Sequence, residues 1–168
     1  MIWRGLKISS TSRIIFKTSR NRNMKYVIWD IDGTLSLVGE RADLLSGKKK
    51  NWDEFYARCG EDLPHLPVIQ TYQALYAEGT GPEMILLTGR RESVRSQTEE
   101  WLKRHGVVGY RHLLMRPDGD FRADTVLKPE LLQNHGIQPD LVFEDRDSMV
   151  KYWRGQGVTC FHVASGKF

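Results

Sequence analysis

The stretch that most constrains this chain is Lys25-Tyr26-Val27-Ile28-Trp29-Asp30-Ile31-Asp32-Gly33-Thr34. An apolar run stops abruptly at two aspartates one residue apart, and Gly-Thr follows. The run Tyr26–Trp29 is β-branched and aromatic with polar flanks, which reads as a short buried strand. Open α/β sheets bind ligands just beyond the carboxyl ends of their strands, so both carboxylates are expected at a site. Alternation along an extended backbone lets Asp30 and Asp32 share one face. Two like charges that near are costly unless a cation neutralises them. Oxygen ligands favour a hard ion such as Mg²⁺. Gly33 permits the tight turn that must follow.

With 168 residues the chain is long enough for one α/β domain with its own core. No apolar run reaches the length of a membrane span. Cys59 and Cys160 have neither metal-site spacing nor a disulfide framework around them, so two reduced thiols in a cytoplasmic protein are expected. The net charge of +4 arises at one end. Residues 1–23 carry Arg4, Lys7, Arg13, Lys17, Arg20 and Arg22 and no acid, leaving 19 basic against 21 acidic residues in the remainder. The basic balance is therefore not a nucleic-acid footprint of the fold. Residues 1–23 are open to three readings: an organellar transit peptide, a disordered basic arm, or a start assigned upstream of Met24. The last is favoured, because Met24 directly precedes the first strand. Residues 24–168 then form the domain.

After the two aspartates, residues 35–50 are polar, with Gly39, Gly47 and Lys48-Lys49-Lys50, and read as a mobile loop over the site. The lysine run reads as a solvated loop that is also suited to a nucleic-acid backbone. Asn51 is placed to cap a helix over 52–58, whose Trp52, Phe55 and Tyr56 recur at helical spacing. Core packing is the expected use of those rings, base stacking the alternative. A second helix is expected over 67–78, stopped by Gly79 and Gly81. Strands are expected at 84–87, 112–115, 141–143 and 158–163, and helices at 91–105, 124–135 and 147–154. Pro129 predicts that Lys128 sits at a helix boundary or in its first turn, and Asp147 is expected to cap the last helix. The alternation implies a parallel, Rossmann-like sheet of about five strands flanked by helices. The connecting segments leave room for only a small or absent cap.

Asp30-Ile31-Asp32-Gly33-Thr34 resembles the DxDGT motif of the haloacid dehalogenase (HAD) superfamily of phosphotransferases. Leu86-Leu87-Thr88-Gly89-Arg90, Lys128 and Glu144-Asp145 resemble its three further motifs, in the same order. The resemblance implies that Asp30 is a nucleophile forming an aspartyl-phosphate. It implies that Asp32 first protonates the leaving oxygen and then activates water. Mg²⁺ is implied as cofactor, held by Asp30, Asp145, the backbone carbonyl of Asp32 and, through water, Glu144. Lys128 is implied to neutralise phosphoryl charge and Thr88 to hydrogen-bond a phosphoryl oxygen.

The chain from 25 to 168 also resembles the phosphatase domain of phage-type polynucleotide 5′-kinase/3′-phosphatases. Arg41, Gly89-Arg90, Asp124 before Lys128, Asp145-Arg146 and Trp153-Arg154 carry that resemblance. It implies that Gly89, Arg41, Arg90 and Asp124 bind or organise substrate, consistent with bidentate recognition of phosphate by arginine. The chain departs from the pattern in having Glu144 where a second aspartate is common. It has no phosphate-binding loop of the Gly-x-x-x-x-Gly-Lys-Ser/Thr type, so use of ATP is not expected. The implied partner is a phosphorylated nucleic-acid end or a nucleotide, with no membrane. A small-molecule phosphatase such as a 5′-nucleotidase is the alternative, and a non-catalytic binding module the non-enzymatic one. Nothing in the pattern sets an oligomeric state.

Overall fold

The computed structural model describes residues 24–46, 48–76 and 80–165, so expectations for residues 1–23, for Gly47, for residues 77–79, where the second helix is expected to end, and for residues 166–168 lie outside it. In chain order, β1 spans Tyr26–Trp29, β2 Ser36–Leu37, α1 Trp52–Ala57, β3 Leu63–Pro64, α2 Leu66–Leu75 and β4 Glu83–Arg91. Then come α3 over Arg95–Arg104, β5 over His112–Arg116, α4 over Asp124–Asn134, β6 over Leu141–Glu144, α5 over Asp147–Gly155 and β7 over Thr159–His162.

Five strands form one parallel sheet in the order β5-β4-β1-β6-β7. β1 is central because it is buried on both faces, and its alternation divides the core. Val27 and Trp29 point into a cluster with Ile69, Tyr72, Trp101 and Leu102 of α2 and α3. Ile28 points the other way, into Leu132, Met149, Val150 and Trp153 of α4 and α5. Helices thus cover both faces, as a parallel sheet requires. The chain proceeds outward from β1 through β4 and β5, then returns through β6 and β7. The strand order reverses around β1, which opens a crevice at its carboxyl end.

Four local expectations are corrected. Residues 35–50 are not simply a loop. Ser36–Leu37 pairs antiparallel with Leu63–Pro64, and Gly39–Leu45 is a 3-10 helix. Val38 and Leu45 pack on Phe55 and Tyr56 of α1 in a small third core beside the site. The strand expected to end at 87 continues to Arg91, because Arg91 still pairs with Arg116 of β5; the following helix begins only at Arg95. Pro129 does not break α4, where burial of Leu127, Lys128, Pro129 and Leu132 outweighs the lost backbone donor. Lys128 therefore lies inside the helix. Asn51 does cap α1, accepting the Glu54 amide at 3.3 Å. Asp147 does not cap α5; it is the first helical residue and pairs with His162 at 3.3 Å.

Candidate active site

Asp30 follows β1 at the sheet's crevice, and its amide donates to Phe143 O of β6 at 3.1 Å. The neighbouring strand end supplies Glu144, and Asp145 follows it. From the opposite face α4 sends Lys128, whose Nζ donates to Asp30 Oδ1 at 2.7 Å and to Glu144 Oε2 at 2.8 Å. All four side chains are buried. Burial, then the charge of Glu144, pushes the Asp30 carboxyl well above its usual range, against the pull of Lys128. Burial and Glu144 also push Asp145 up to about 6. Lys128 loses by burial but is held firmly protonated by Asp30 and Glu144.

Three acids against one lysine leave negative charge uncompensated in a dry site. One oxygen each of Asp30, Glu144 and Asp145 lies within 4.8 Å of the others. Glu144 Oε1 accepts the amides of Asp145 and Arg146 at 3.3 and 3.2 Å. Asp145 Oδ1 accepts from Thr34 Oγ1 at 3.4 Å, while its buried Oδ2 has no hydrogen-bond partner. That oxygen occupies the space a side chain at Gly33 would need, 2.2 Å from the ideal Cβ position. Gly33, at φ +88°, therefore serves both the turn and the approach of Asp145. An unpartnered carboxylate oxygen among three clustered acids is the donor set that a divalent cation would complete. The expected participation of Asp32 in the metal shell concerned its backbone oxygen; its carboxyl is committed elsewhere.

Asp32 is held by two arginines. Arg41 Nη2 donates to Asp32 Oδ1 at 2.7 Å, and Arg90 reaches the same oxygen through Nη2 at 2.7 Å and Nε at 3.0 Å. Oδ2 receives one longer bond, from Arg90 Nε at 3.2 Å. Burial opposes ionisation of Asp32, but Arg90 and then Arg41 overcome it and hold the carboxyl well below its usual range. Both guanidiniums also bind Asp62, from Arg41 Nε to Oδ1 at 2.8 Å and from Arg90 Nη2 to Oδ2 at 3.1 Å. Arg41 further donates to Phe55 O at 2.9 Å. Arg41 and Arg90, expected at the substrate, thus have their donors turned onto Asp32 and Asp62. Thr88 is buried on β4, and its Oγ1 accepts the Arg90 amide at 3.1 Å, leaving the hydroxyl hydrogen as what it offers.

A small cavity of about 50 Å³ joins Asp30, Asp32, Gly89, Asp124, Lys128 and Glu144. Gly89 faces it with no side chain, and its carbonyl accepts from Tyr56 Oη at 3.1 Å and Arg116 Nε at 3.2 Å. Asp124, the first residue of α4, binds Arg116 Nη2 and accepts from Arg146 Nη1 at 2.9 Å. It therefore organises two arginines on the cavity rim.

The chain as a whole, with this site, matches known proteins. A family model described as the polynucleotide kinase PNKP phosphatase domain matches residues 24–168. The chain belongs to the PNKP phosphatase domain family. The chain spans half or less of the length of the repair-complex, viral and plant proteins it matches. A chain in the structure of the Pnkp1/Rnl/Hen1 RNA repair complex is 30% identical with a TM-score of 0.72, over 99% of this chain and 50% of that one. A putative bifunctional polynucleotide kinase/RNA ligase of Autographa californica nuclear polyhedrosis virus is 27% identical over 141 residues, 82% of this chain and 19% of the viral protein. An uncharacterised Arabidopsis thaliana protein is 28% identical over 148 residues, 86% of this chain and 45% of its own length. A hydrolase from Streptococcus pneumoniae, 16% identical with a TM-score of 0.56, shares the fold.

Sequence reasoning named Arg146 only as part of the resemblance, gave it no place at the cavity, and missed Asp62 and Arg116 altogether. Arg146 had a signal, since it adjoins Glu144-Asp145. Arg116 ends a strand on the sheet's carboxyl side, a weaker one. Asp62, in the loop Gly60-Glu61-Asp62, looks like any solvated acid.

Proposed function

We propose that this chain is a Mg²⁺-dependent phosphomonoesterase that works through an aspartyl-phosphate, with a 3′-phosphate at a nucleic-acid end as substrate. One observation carries the reading. The Asp30 carboxylate stands at the switch point of the sheet, bonded to Lys128 at 2.7 Å and within the carboxylate cluster it forms with Glu144 and Asp145.

Asp30 attacks phosphorus, the ester P–O bond breaks, and the leaving oxygen takes a proton from Asp32. Water then attacks the aspartyl-phosphate while Asp32 accepts its proton, which restores the Asp30 carboxylate and the Asp32 acid and releases inorganic phosphate. Because three arginine N–H contacts crowd Asp32 Oδ1, the shuttled proton belongs on Oδ2. The arginines favour the ionised form, so the protonated state must be gained with the substrate, whose phosphate charge works against them. Lys128 and the Thr88 hydroxyl stabilise charge on the phosphoryl oxygens. Asp30, Asp145 and Glu144, with the Asp32 carbonyl, would hold Mg²⁺, which when bound supplies further neutralisation of those oxygens.

The test is phosphate release with Mg²⁺ from a 3′-phosphorylated oligonucleotide, beside 3′- and 5′-mononucleotides and an aryl phosphate. The oligonucleotide should have the highest kcat/KM, and that value should fall as salt rises. Mononucleotides turned over equally well would replace the end-processing reading by a nucleotidase. Asp30→Asn should abolish turnover on every substrate while leaving the circular-dichroism spectrum intact; persisting turnover would sink Asp30 as nucleophile.

A further inference from the structure

Beside the catalytic cavity lies a second, larger one of about 430 Å³. The two share Trp52, Tyr56, Arg116, Asp124 and Arg146, so one opens into the other. The smaller has room for a phosphoryl group, and whatever the phosphoryl group is attached to must extend into the larger.

The chemistry of that larger cavity is specific. Phe121 is 84% exposed, the most exposed large apolar side chain of the described residues, and it lines the cavity rather than the core. Trp52 is 36% exposed, whereas its helix neighbours Phe55 and Tyr56 are buried. Of the three rings noted in the sequence, Phe55 and Tyr56 are buried beside the catalytic cavity, and Trp52 packs against both while keeping part of its surface exposed at the rim. Arg91 lies against two rings, 4.9 Å from the Tyr56 centroid and 5.9 Å from that of Phe121. Its Nη1 is bound to exposed Asp53 at 2.8 Å, a surface pair worth little and readily exchanged for a phosphate. Trp52, Arg91 and Phe121 also border a further recess that reaches Lys49 and Lys50. Lys50 Nζ sits 5.6 Å from the Trp52 ring centroid. Aromatic faces followed by cations, leading away from a phosphate site, are the features of a single-strand track: rings stack bases and cations follow the backbone.

We propose that Trp52 and Phe121 form a stacking slot for the nucleobase beside the scissile phosphate, with the strand continuing past Arg91 toward Lys49 and Lys50. This rests on the 3′-end reading above and narrows it to an unpaired terminus, because a base seated between side chains has left its duplex stack. The sequence reads the lysine run as a solvated loop, with contact to a nucleic-acid backbone as the alternative. Its place at the end of this track gives it a use.

The test compares kcat/KM with Mg²⁺ for a single-stranded 3′-phosphorylated oligodeoxynucleotide and for the same strand whose terminal nucleotide lacks its base. The wild-type protein should favour the base-bearing end by about 5- to 150-fold, the range for one stacked base. Phe121→Ala should bring that ratio close to one, mainly through KM, and Phe121→Tyr should restore it. Phe121 is nearly free of packing, so its replacement leaves folding intact. A wild-type protein indifferent to the base, or a Phe121→Ala ratio equal to the wild-type ratio, overturns the slot while turnover of both ends still upholds the phosphatase reading. A wild-type protein that releases no phosphate from either end overturns both.

Discussion

Asp62 is a single side chain on which two buried guanidiniums converge. Arg41 and Arg90 each carry one charge, and Asp32 and Asp62 supply one each in return, so the group is neutral as a set. Removing one member leaves a buried charge without its partner, which costs far more than an exposed pair contributes. Asp62→Asn keeps the shape and removes the charge. It should destabilise the fold by about 1.5–3 kcal/mol in denaturant titration, the range for a hydrogen bond to a charged group. It should also lower kcat, because Arg41 and Arg90 no longer have a second anchor fixing them on Asp32. Unchanged stability would mean that the remaining partners, Asp32, Ser36, Thr98 and the Phe55 carbonyl, hold the two arginines without it. Legibility at this scale was uneven. Asp30 and Asp32 stand out as acids at the end of an apolar strand, and Lys128, Glu144 and Asp145 through their resemblance to the superfamily's motifs. Asp62 does not, because a lone loop acid gives no hint of two arginines arriving from positions 21 and 28 residues away.

At the scale of elements, the site is where the turn after β1 meets the turn after β6. Gly33 and Asp145 are the contact: the glycine's positive φ turns the chain, and its missing side chain admits the carboxylate. Gly33→Ala would set a Cβ 2.2 Å from Asp145 Oδ2, and the positive φ adds strain of its own, about 1–2 kcal/mol. One of the two turns must move. The variant should fold, but its affinity for a divalent cation should fall by about 10- to 100-fold, the effect of disturbing groups that orient metal ligands. Mn²⁺ titration followed by electron paramagnetic resonance would measure it. An unaltered affinity would show that Asp145 is not needed for metal. The strands that carry this contact were plain in the sequence, since β1, β4 and β6 are apolar runs ending in polar site residues. Element ends were less plain. Pairing of Arg91 with Arg116 drew β4 past its apolar run, and packing around Lys128 kept α4 intact through Pro129. Both effects are tertiary and leave no local mark.

For the molecule as a whole, the alternation of strands and helices was enough to imply a parallel, doubly covered sheet, because each β-branched run had to be buried on both sides. Among the described residues no helix is long and apolar enough to cross a membrane. The charge distribution has a further consequence. The excess of basic residues belongs to residues 1–23, whereas the crevice of the sheet gathers three acids around one lysine. Folding without a cation must therefore bring Asp30, Glu144 and Asp145 together against their mutual repulsion, and a cation that binds the folded chain alone shifts the equilibrium by mass action. At a Mg²⁺ concentration of about 100 times Kd that contribution is about 2.7 kcal/mol. For a domain of this size it corresponds to a rise in Tm of roughly 5–10 °C. Thermal scans should show the rise on adding Mg²⁺ and its reversal by a chelator, with NaCl of matched ionic strength giving much less, because simple screening acts weakly on buried charge. Asp145→Asn removes one charge and the unpartnered oxygen together. It should raise the Tm of the metal-free protein, since one repulsion is gone, and abolish most of the Mg²⁺ response. A metal-free variant less stable than the metal-free wild type would place the main cost elsewhere, and an undiminished Mg²⁺ shift would remove Asp145 from the metal site.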